Sequence, residues 1–203
     1  MKRTFAFALG ATLLFAGCGS NGSDQDTPSP SVDSPLGQPE PTSQATPATS
    51  EIPTSPRGYR LKTFGDRSGS GCFVDDEPCD VEFVVKAPLP ATNCDSAYAP
   101  EIGQLLAFPV RVETKLGGDM TPFGGMWNPN SFSALLPNGV TVPRITSAAT
   151  YGCSESDMSI PDTLAPASVY EGFVVLDVPV DATDLIYAPQ LGGGGQGGWE
   201  WPL

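Results

Sequence analysis

Five cysteines and no histidine decide most of the chemistry open to this 203-residue chain. Without imidazole there is no Ser-His-Asp or Cys-His hydrolase, no His-ligated zinc and no HExxH protease. A Ser-x-x-Lys nucleophile is missing too, because Tyr59, Phe83 and Val112 stand three residues before Lys62, Lys86 and Lys115. G-x-S-x-G and G-x-x-x-x-G-K-[ST] do not occur. Carboxylates are plentiful, and two at the right separation hydrolyse glycosides, a separation that only the fold decides. Asp75, Asp76, Glu77, Asp80 and Glu82 cluster around Cys79, where calcium would find oxygen ligands. No D-x-[DN]-x-[DN]-G pattern accompanies them, so a solvated acidic loop is the main reading and calcium the lesser one. Gly192, Gly194 and Gly197 match G-x-G-x-x-G, but a glycine tract running into Trp199-Glu200-Trp201-Pro202 has neither the preceding strand nor the following helix of a dinucleotide site. Trp199 and Trp201 lie two apart, so in a strand both rings point the same way. They are read chiefly as core, and otherwise as a candidate binding surface, an aromatic platform for a glycan or protein partner.

The charge balance narrows the partners. Ten Lys+Arg against 23 Asp+Glu give a net charge of -13 and a pI near 4.1. A nucleic-acid binder needs the opposite field, so none is expected.

The amino terminus supplies an address. Met1-Lys2-Arg3 precedes an uncharged run from Phe5 to Gly17, and Gly19-Ser20-Asn21-Gly22 ends it before it reaches the roughly 18 residues that a spanning helix needs. Residues 1–17 read as a signal peptide. Leu14-Phe15-Ala16-Gly17-Cys18 resembles the lipobox of bacterial lipoproteins, with Phe15 where a small or polar residue is usual. The resemblance implies that Cys18 becomes the mature amino terminus and carries a diacylglyceryl thioether. Acyl chains contribute about 0.8 kcal/mol per buried CH2, so two or three hold a protein on the membrane. The alternative, ordinary cleavage near Ala16-Gly17-Cys18, leaves an odd thiol. The mature part keeps 8 basic and 23 acidic side chains, formally -15, so anionic lipid does not attract it.

With Cys18 lipidated, Cys72, Cys79, Cys94 and Cys153 remain, an even number in an exported domain. Disulfides are expected. Three pairings are open; Cys72–Cys79 with Cys94–Cys153 is favoured, a local loop and a long-range staple. The chain-entropy model gives about 4 kcal/mol for the long loop and about 2.5 kcal/mol for the short one. The intervals between them do not suit the C-x2-4-C pairs of structural zinc, so no metal is assigned.

Residues 18–56 follow the anchor. Positions 19–56 hold eight prolines, five acids, no base and no aromatic residue, which cannot bury enough apolar surface to offset chain entropy. A disordered, lipid-anchored linker is expected. Its reach lies between about 34 Å as a flexible coil and about 120 Å as polyproline II.

Residues 57–203 fit one domain. Periodicity there is two: Val81, Phe83 and Val85 share a face, and Leu106, Phe108, Val110 and Val112 oppose Pro109, Arg111, Glu113 and Lys115. Pro109 and Pro143 lack a ladder donor and are expected at sheet edges or strand ends. Ser131–Leu136 and Val140–Ile145 flank Pro137-Asn138-Gly139 as a hairpin. Val169–Val178 reads as an interior strand and Asp184–Ala188 as another, with no amphipathic helix in any window. The class is all-β, an antiparallel β-sandwich.

Several short segments then resemble a family. Leu164-Ala165-Pro166 and Gly172-Phe173-Val174-Val175-Leu176-Asp177-Val178-Pro179 are similar to the carboxy-terminal signature of telokin-like, immunoglobulin-fold lipoproteins of high-GC Gram-positive bacteria. Glu101–Ala107, Ala149–Cys153 and Gly198–Trp201 fit its order, so the resemblance covers residues 80–203. Ala167-Ser168 stands where the family often has Gly-Glu. The resemblance implies an immunoglobulin-like sandwich on the extracytoplasmic face of the cell membrane, a kinship to secreted immunogenic antigens, and no catalytic residue. The expectation is a non-enzymatic recognition or structural module, without cofactor, held to the membrane by Cys18 and facing an envelope protein partner. The alternatives are a carboxylate-dependent hydrolase of cell-wall glycan and a small-ligand or calcium-binding module.

Overall fold

The period-two runs become strands because alternate side chains can be buried only if the backbone is extended and paired. In the computed structural model, residues 53–72, 78–191 and 197–203 are described, all within one compact unit, Ala48–Leu203. The signal peptide, Cys18, the linker up to residue 52, Asp75, Asp76, Glu77, Gly192 and Gly194 lie outside the described residues. No helix among the described residues is long and apolar enough to cross a membrane.

Among the described residues, ten strands form two sheets. The first contains β1 (Arg60–Leu61), β10 (Trp199–Pro202), β9 (Asp184–Tyr187), β6 (Phe132–Leu135) and β7 (Thr141–Val142), in that order. The second runs β2 (Arg67–Ser70), β3 (Val81–Val85), β5 (Gln104–Thr114), with β4 (Leu89–Pro90) also on β5 and β8 (Val169–Val178) on its other side. All pairs are antiparallel except β1 with β10. The described residues form an all-β sandwich of two sheets. Irregular segments contribute only short 3-10 turns, among them Ala148–Tyr151 and Ser154–Met158.

The inward residues are those the alternation selects. Val81, Phe83 and Val85 from β3 and Phe108, Val110 and Val112 from β5 meet Phe132, Leu185, Tyr187, Trp199 and Trp201 from the other sheet. Phe83 sits edge-on to Trp199 at 4.8 Å, and Tyr187 stacks on Phe132 at 4.5 Å. Burial pushes the Tyr187 hydroxyl well above the usual phenol range, and it donates to the Met126 carbonyl at 2.9 Å.

The β6–β7 hairpin turns at Pro137-Asn138-Gly139, where Gly139 has φ +80° and the Leu136 N–H donates to the Val140 carbonyl at 2.9 Å. β7 stops at Val142, just before Pro143, which has no N–H to extend the ladder.

Two expectations are corrected. Pro109 lies in the middle of β5, the longest strand, and not at an edge or end. It is tolerated because its nitrogen faces the β3–β4 side where β3 has just ended: the Lys86 N–H still donates to the Pro109 carbonyl at 2.9 Å, and β4 resumes only at Ala107. β8 is not interior: among the described strands it pairs with β5 alone, and its other edge meets only isolated contacts from Ile145 and Ser159. Its apolar run arises because both faces are covered over 174–178: Val174, Leu176 and Val178 face the main core, while Val175 joins Ala107 and Cys153 in a smaller cluster on the outer face.

Candidate functional site

That outer cluster is built by a cysteine pair. The structure joins Cys94 to Cys153 and Cys72 to Cys79. All four sulfurs are thereby engaged in disulfides. The long-range bond holds the strand-free segment 152–158 over β5 and β8, with Ala91, Leu105 and Phe173 completing the cluster. Main-chain bonds support it: the Asp95 N–H donates to the Gly152 carbonyl at 2.8 Å. Glu155 receives the Thr92 N–H at 3.0 Å and its hydroxyl at 2.7 Å. Desolvation pushes the Glu155 carboxyl up, but these bonds outweigh it and leave it below the usual range. Tyr98 and Tyr151, 50% and 58% exposed, stand on this corner.

Beside the corner, the free edge of β8 lines a cavity of about 210 Å³. Its apolar wall is Trp127, Ile160, Phe173, Val174 and Val175; Asn128, Thr150, Tyr151, Ser156, Ser159 and Asp162 supply polar groups. The edge of β8 is covered above and below but open between. At one end the Asp177 N–H donates to the Ile145 carbonyl at 2.8 Å, and at the other Phe173 bridges to Ser159. Gly172 permits the second approach, because a Cβ there would collide with the Met158 carbonyl oxygen. Successive N–H and C=O pairs of a strand alternate between its two sides. Val175, midway between Phe173 and Asp177, therefore points its N–H and C=O to the same outer side, toward the cavity, and among the described residues no hydrogen bond meets them. Trp127 is 5% exposed, and its indole N–H is also without a partner.

A second depression, of about 300 Å³, lies on the outer face of the same sheet between Lys86, Pro109, Arg111, Met158, Glu171 and Phe173. Its Arg111 and Glu171 belong to a ladder of ion pairs. Arg111 donates to Glu113 at 3.0 Å and Glu171 at 2.7 Å, and Arg67 meets Glu82 at 3.1 Å and Glu113 at 2.8 Å. The ladder crosses four strands. Hydrogen bonds that Arg111 donates to Glu171 and Glu113 raise it above its ordinary value, so it stays charged.

The candidate surface at Trp199 and Trp201 is corrected. Both point the same way, but into the core, at 1% and 0% exposure. Trp201 stacks on Phe64 at 6.2 Å, and Arg60 covers the Trp199 ring at 5.9 Å. Neither ring is open to a partner. Of the acidic cluster, Asp80 and Glu82 are described, and Glu82 faces Arg67. No group of three metal-ligating side chains converges among the described residues.

Two buried acids were not anticipated. Asp177, 0% exposed, accepts the backbone N–H groups of Glu101 (2.7 Å), Ile102 (3.2 Å) and Gly103 (2.9 Å). Burial pushes its carboxyl up, but the hydrogen bonds win and hold it below the usual range. Glu200, 2% exposed, takes a forked pair from Arg57, whose Nε donates at 3.2 Å and whose Nη2 donates to the other oxygen. The signals were a single acid inside the apolar run Phe173–Val178 and one between two tryptophans.

Fold and site thus define an all-β sandwich with a disulfide-held corner and a cavity at an open strand edge. No family model matches the chain, and no curated protein matches it. Among solved structures, that of a secreted protein of Mycobacterium tuberculosis, MPT63, is similar, with 17% identity over 71% of this chain and 98% of that one and a TM-score of 0.45.

Proposed function

We propose that this chain is a membrane-anchored extracytoplasmic lipoprotein whose sandwich works by recognition and not by catalysis. The observation that carries the reading is the β8-edge cavity, where the main chain of Val175 has no hydrogen-bond partner among the described residues and Trp127 and exposed Tyr151 form part of the wall. Such a concave site with a few convergent polar groups suits binding. Two disulfides belong to an oxidising compartment, which agrees with the signal peptide and the lipobox-like Cys18. The outer-face carboxylates Glu82, Glu113 and Glu171 are neutralised by arginines, which supports a structural use for them over a hydrolytic one. Membership of the telokin-like lipoproteins is part of the same reading and rests on the segments quoted above. The partner is an envelope protein.

The test is in-cell crosslinking of the anchored protein with mass spectrometry of what is captured, against a mutant whose sandwich is replaced on the same tether. A partner captured only by the native domain supports recognition. Equal capture by both, or none while a control lipoprotein crosslinks, contradicts it.

A further inference from the structure

We propose that the β8-edge cavity binds one residue of an extended peptide by pairing it to the main chain of Val175. This rests on the recognition reading above and names its ligand class.

Val175 is 2% exposed, yet among the described residues its N–H and C=O have no partner. Buried main-chain groups are almost always paired, so these two require something in the cavity. Both point the same way from either side of one Cα. Their complement is a donor and an acceptor flanking a single tetrahedral carbon, which is the N–H and C=O of one amino-acid residue in extended conformation. A lone amide does not match, because its C=O and N–H point in opposite directions. Trp127 forms part of the same wall, so its indole N–H resonance reports on occupancy.

The slot is short. From Phe173 to Asp177 the strand rises about 13 Å, and Ser159 and Ile145 occupy its ends, so a long strand cannot run along the edge. A volume of about 210 Å³ also falls below that of drug-sized pockets. A chain end or a single residue at a bend fits. No Lys or Arg lines the cavity and Asp162 does, so an uncharged or cationic ligand is favoured over a free carboxylate.

The probe is N-acetylalanine N-methylamide, titrated into the intact 15N-labelled chain while the Val175 amide and Trp127 indole N–H resonances are followed. The expected result is a saturable shift of both, in the millimolar range set by so small a ligand. N-acetylproline N-methylamide, which lacks the residue's N–H, should bind at least about tenfold more weakly because it leaves the Val175 carbonyl unpaired. N-acetylalanine, with a carboxylate, should also be weaker. Ser159→Trp, at an exposed lining position, should abolish both shifts while the rest of the spectrum is kept. No saturable shift, equal binding of the proline probe, or contact of Val175 with water only would overturn the proposal. Failure here with a partner captured in cells leaves recognition standing and removes only the peptide residue; binding here without a captured partner does the reverse.

Discussion

At the scale of single residues, Asp177 is held by three main-chain donors, and its carboxyl lies below the usual range. Its contribution is therefore present above the unfolded value near 3.9 and is lost as pH falls through the lower folded value. Asp177→Asn puts an NH2 among N–H donors and should cost about 2 kcal/mol at neutral pH. Denaturant unfolding across pH 2 to 7 should show the cost shrinking toward acid. A second prediction concerns Ala167, which adopts φ +50°. That region strains any residue with a Cβ, so Ala167→Gly should stabilise by about 0.5–1 kcal/mol after the added unfolded-state entropy is counted. Arg57→Ala strips Glu200 of its cation; since the guanidinium is 31% exposed and water-screened, a loss of about 1–3 kcal/mol is expected in the same assay. Such residues were only partly legible. The tryptophan pair declared its common direction but not its burial, because alternation says which side chains share a face and not which face is covered. The burial of Glu200 was illegible for the same reason: what covers it is Arg57, 143 residues away in the chain.

Elements were legible where one face is wet. β3 and β5 alternate, and their inward residues are the ones the period selects. β8 was misplaced because a run apolar on both faces reads alike whether neighbouring strands or a disulfide-held segment covers it. Pro109 was misplaced because its neighbour's last residue, and so the gap that tolerates it, is a property of pairing. The corner over β8 depends on Cys94–Cys153, which closes a separation of 59 residues, against 7 for Cys72–Cys79. Replacing both Cys94 and Cys153 by serine should cost about 4 kcal/mol and the other pair about 2.5 kcal/mol, read from denaturation midpoints. The first replacement should also speed amide exchange in 152–158, since those residues lose their tie to the sheet.

For the whole molecule, the all-β class was legible in the sequence, while the cavity was invisible in it. No motif marks Val175; its open edge exists only because Ile145 and Ser159 pair with β8 on either side of it. Cys18→Ser should move the protein from the membrane fraction to the medium, measured by fractionation. The central claim is that the tethered sandwich recognises a partner through the β8 edge. Its most direct test is a photocrosslinking side chain placed in living cells at Tyr151, on the cavity wall, and separately at Val140, in the β6–β7 turn, both exposed. The account predicts one defined adduct from position 151 that is missing from position 140. The same adduct from both positions, or none from 151 while a control lipoprotein crosslinks, would contradict it.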